Sequence, residues 1–110
     1  MSAVAPEPVL VVLVTAPADV APQLARTLVG ERLCACANLL PQVRSVYRWQ
    51  GAVEEGEETL LVLKTTQARY PELAARLRAL HPYQCPECLA LPVAAGLPAY
   101  LAWVGESVAP

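Results

Sequence analysis

Two hydrophobic periodicities alternate along the chain. Val9–Thr15 is an unbroken apolar run rich in β-branched residues, the pattern of a central strand buried on both faces. Ala16-Pro17-Ala18 ends it. Asp19 then offers a helix N-cap, and Pro22 is tolerated in a first turn, where its missing N–H has no partner to lose. Val20, Leu24, Leu28 and Leu33 recur at roughly helical spacing and predict a helix over Asp19–Leu33, weakened near its end by Gly30. From Ala35 to Tyr47 the pattern turns extended. Pro41 inside it marks an edge strand or a bulge, because proline removes a ladder donor. Val43–Trp49 runs into Gln50-Gly51, a hairpin signal, and the return strand covers Ala52–Thr66. That strand begins acidic (Glu54-Glu55-Gly56-Glu57-Glu58) and ends in the apolar run Leu60–Leu63. A hairpin of this length projects beyond a small core.

A second helix is predicted over Tyr70–Leu80, with Pro71 in its first turn and Leu73, Leu77 and Leu80 on one face. It stops at His81-Pro82, since the residue before a proline avoids the α region. A short strand, Cys88–Val93, and a closing helix from Pro98 to about Ser107 complete the chain. The order β-α-β-β-α-β plus a terminal helix is α+β, the split-βαβ, ferredoxin-like arrangement, with an antiparallel sheet in the order 4-1-3-2. Residues 1–110 read as one domain, with 1–7 as a disordered tail.

Composition adds an assembly argument. Apolar types make up 55% of the 110 residues and charged types 16%, more apolar surface than so short a chain hides alone. Part of it is expected in a subunit interface. A net charge of −2 with 8 Lys+Arg lacks the clustered basic face that nucleic acid requires. Val9–Val14 is far short of the ~20 residues of a spanning helix, and Met1–Pro8 has no basic n-region. The expected partners therefore exclude nucleic acid and membrane, and the expected compartment is the cytoplasm. There the cysteines are thiols or metal ligands rather than disulfides.

Cys34-x-Cys36 and Cys85-x-x-Cys88 supply four soft ligands, the set of a structural zinc site. Within one subunit the sheet order separates them, since the second and fourth strands are opposite edges about 14 Å apart, which leaves only a site across a subunit boundary. Cys36 is read instead as a buried structural thiol, with Cys34 on the same strand face. His81, the sole histidine, ends a helix. It is either a structural group there or a metal ligand with Glu87, too few donors for a tight transition-metal site. Lys64, the sole lysine, either holds an anion in an intersubunit ligand cleft with Tyr83 or pairs with a carboxylate such as Glu87. Tyr47 and Trp49 are expected as interface anchors, and the hairpin glutamates as a solvated face. No Gly-rich phosphate loop, nucleophile elbow or catalytic Cys–His pair is present, so the expectation is a non-enzyme.

Five strings in order carry a family resemblance: Thr15-Ala16-Pro17, Leu33-Cys-Ala-Cys-Ala-Asn38, Tyr47-Arg-Trp49-Gln-Gly51, Leu63-Lys64-Thr65-Thr66 and His81-Pro82-Tyr83-Gln84-Cys85-Pro86-Glu87. Together they resemble the CutA family of divalent-cation tolerance proteins, over about Val9 to Val104. The resemblance implies a P-II-like homotrimer whose hairpins pair across subunits. It also implies a link to copper and other divalent cations, with no cofactor required. Cys36 matches the family's cysteine, whereas the proposed copper site of the family has a cysteine and a histidine where Val14 and Leu80 stand here. The expected function is a role in divalent-metal tolerance with at most weak copper binding. The rival expectations are a P-II-like small-anion sensor and a trimeric scaffold for a protein partner.

Overall fold

The computed structural model describes residues 7–110. Most of the expected tail, residues 1–6, lies outside the described residues. Glu7 is placed, and its Oε1 accepts a hydrogen bond from the Ala68 amide at 2.9 Å. The elements are β1 (Val9–Ala16), α1 (Ala21–Gly30), β2 (Cys36–Trp49), β3 (Ala52–Thr66), α2 (Tyr70–Leu80), β4 (Leu89–Pro92) and α3 (Pro98–Ser107). The strands form one antiparallel sheet in the order β2-β3-β1-β4. This is the expected α+β arrangement.

β1 lies inside the sheet, as its continuous apolar run requires. Leu10, Val12, Val14 and Ala16 alternate onto the face that packs against Leu24 and Leu28 of α1 and Leu73 and Leu77 of α2. Val9 contributes to a smaller cluster with Ala35, Val104 and Val108 beneath α3. Between these, Val11 and Leu13 remain half-buried, so α3 covers only part of the second face.

α1 is shorter than the periodicity predicts. Its N-cap is Val20, with no side-chain cap bond, rather than Asp19. At its end Arg32 adopts φ 61°, a left-handed turn that stops the helix. Leu33 and Cys34 are thereby folded back toward the Leu28 carbonyl, at 3.0 and 3.4 Å. Both reach the core from outside any helix or strand, Leu33 supplying the apolar contact that the periodicity assigned to the helix.

The Pro41 signal appears as a register break between Leu40 and Val43, with Gln42 at φ 61°. A bulge at this point twists an edge strand and discourages its pairing with strangers. The hairpin closes through Gln50 and Gly51, at φ 50° and 81°, the two left-handed positions that a tight two-residue turn demands. Its outer half carries the molecule to 58 Å in length, against 25 and 21 Å in the other directions. Val46 and Val53 on that half are 61% and 66% exposed.

Candidate functional site

Where the hairpin leaves the body, four segments enclose a groove of about 700 Å³. Thr15 comes from the end of β1, Arg44–Tyr47 and Trp49 from β2, Glu58 from β3, and Tyr83, Gln84, Cys85 and Glu87 from the loop after α2. His81-Pro82 fixes the loop's departure. His81 has left helical backbone, at ψ 135°, while its amide still bonds the Leu77 carbonyl at 2.8 Å.

The His81 ring pins this loop to the sheet. Nε2–H donates to the Thr15 carbonyl at 2.8 Å, and Nδ1 accepts the Tyr83 amide at 3.2 Å. These partners assign a neutral ring protonated on Nε2. The Tyr83 ring lies over His81 with centroids 4.7 Å apart, and its hydroxyl donates to Glu58 Oε2 at 2.8 Å. Burial, followed by the bond to Glu58, pushes the Tyr83 phenol up to about 12.

The groove gathers some predicted residues and separates others. Tyr47, Trp49, Tyr83 and Glu87 line it; His81 lies behind it, and Cys36 and Lys64 lie elsewhere. Within the chain the proposed His81–Glu87 metal pair gains no third donor among the described residues. Both His81 nitrogens are engaged and Glu87 is exposed. Among the described residues no group of three or more His, Cys, Asp or Glu is placed to hold a metal. Val14, at one position of the family's proposed copper site, is fully buried in the core. Within one chain, the described residues form no preformed copper site.

Within one chain Lys64 and Tyr83 do not share a cleft. Tyr83 bonds Glu58, and six steps along the strand at about 3.4 Å each separate Glu58 from Lys64, roughly 20 Å along β3. Lys64 bonds the Asn38 side chain across the β2–β3 ladder instead of pairing with Glu87. The deeply buried thiol is Cys34, at 1% exposure, not Cys36. Burial raises Cys34 to about 12, while Cys36 is half-buried with Sγ 3.5 Å from the Tyr100 hydroxyl. The other pair also divides: Cys85 is exposed on the groove, and Cys88 is half-buried beside the Tyr70 hydroxyl at 3.7 Å.

Glu58 was hidden by its neighbours in sequence. Read as part of a solvated acidic run, it is only 9% exposed. Register explains the difference: Glu58 opposes Val43, so alternation places it on the hairpin face of Tyr47 and Trp49, while Glu55 and Glu57 share the other face with Val46 and Arg44. Strand alternation held this signal, and only the pairing register made it usable.

Residues 10–107 match the model of the CutA1 divalent ion tolerance protein family. The chain belongs to the CutA1 family. It is 51% identical over 98 residues to the divalent-cation tolerance protein CutA of Thermus thermophilus, covering 88% of this chain and 95% of that one. It is 43% identical over 102 residues to human Protein CutA, covering 92% of this chain. The chain spans 57% of the human protein's length and 58% of the mouse protein's. Among solved structures, the T. thermophilus divalent cation tolerance protein matches with a TM-score of 0.89 and 49% identity, covering 92% of this chain and 99% of that one. The PII-like protein CutA from Nostoc, in its apo form, matches with a TM-score of 0.87 and 33% identity, covering 91% and 97%. CutA1 relatives are thus named for ion tolerance and for a PII-like fold, and none of these names specifies a reaction.

Proposed function

We propose that this CutA1 chain acts without catalysis, as a cytoplasmic homotrimer in the cell's response to divalent metal ions. The observation that carries the reading is the projecting hairpin with Val46 and Val53 bare. A lone chain leaves that apolar surface in water, and pairing with neighbouring copies removes it. The family name and the T. thermophilus relative supply the link to divalent ions. Direct copper binding is weak in this reading. His81 becomes a ligand only by giving up its bond to the Thr15 carbonyl or the Tyr83 amide, and Glu87 adds one exposed carboxylate.

Copper added to the purified protein, followed by calorimetry and light scattering, tests both halves. The expected result is a trimer that binds copper at micromolar concentrations or more weakly, on the order expected of one or two donors. His81→Ala should lose that binding while the trimer persists. Copper binding as tight in His81→Ala as in the parent would move the site to the thiols. The small-anion alternative draws less support, since Lys64 is bound to Asn38 and the groove's lining has one cation, Arg44, against Glu58 and Glu87.

A further inference from the structure

We draw no further inference here: the strongest candidate, the Cys85–Cys88 thiol pair on the loop between α2 and β4, is divided between the hairpin-root groove already described, which Cys85 lines, and the Tyr70 hydroxyl, 3.7 Å from Cys88 Sγ, so nothing in the structure brings the two sulfurs to one ligand.

Discussion

Four thiols in one small chain differ in depth, and that difference sets their chemistry. Cys34 is buried and its thiol lies near 12, so little nucleophilic thiolate forms at neutral pH. Cys85 is exposed at the groove. A disulfide reagent at pH 8 should label Cys85 first and leave Cys34 unmodified until denaturant is added; mass spectrometry of the labelled peptides checks the order. Rapid native labelling of Cys34 would contradict its burial. Tyr83 gives a second residue-scale expectation. Among the described residues, Tyr83→Phe removes the only hydrogen bond given to the buried Glu58 carboxylate and should cost about 1–3 kcal/mol in denaturant melts. The same two groups set a direction with pH. Cys34 and Tyr83 titrate higher when folded than their ordinary 9.0 and 10.0, so the unfolded chain releases these protons first. Their contribution to stability is complete below pH 9 and declines as pH rises from there toward 12.

At the scale of elements, proline placement and apolar spacing carried most of the information. α2 begins at Tyr70 beside Pro71 and ends before His81-Pro82, so local chemistry marks both ends. Leu73 and Leu77 are both fully buried, and Leu77→Ala should cost about 2–5 kcal/mol in melting experiments, with no change in groove residues. β3 was equally legible, starting after Gln50-Gly51. α1 was not, because Leu33 continues the helical spacing although the backbone turns left-handed at Arg32. The side of the hairpin on which Glu58 falls, and the choice of Asn38 over Glu87 by Lys64, both follow from β2–β3 register. Register is a long-range property here, and the break at Leu40/Val43 shifts it by an amount that spacing alone does not reveal. The candidate site was therefore legible as residue types but not as a constellation.

For the whole molecule, the open question is what covers the apolar surface of the hairpin and of the β4 edge, where Leu89 and Leu91 are exposed. A trimer that persists at micromolar concentration is the expected result of light scattering, and a stable folded monomer would refute it. Trp49→Asp places a charge at an expected contact and should weaken assembly and thermal stability together, by several kcal/mol in order of magnitude. A variant that melts like the parent and remains trimeric would place the interface elsewhere.

The hairpin also has a consequence in time. Its rungs begin at Trp49 opposite Ala52 and run outward from the turn, whereas β1 must find Thr66 opposite Val9 and Thr59 opposite Ala16 across the intervening chain. Loop closure favours the nearer pairs. The part of the chain proposed to meet its neighbours is thus the part able to form before the body is finished. An incomplete subunit then already displays the exposed apolar residues of the hairpin, and crowding during synthesis sets the proposed assembly against misassembly. The Pro41–Gln42 bulge, lying between that projecting half and the rungs nearest the core, interrupts the edge along which a wrong strand would otherwise keep adding.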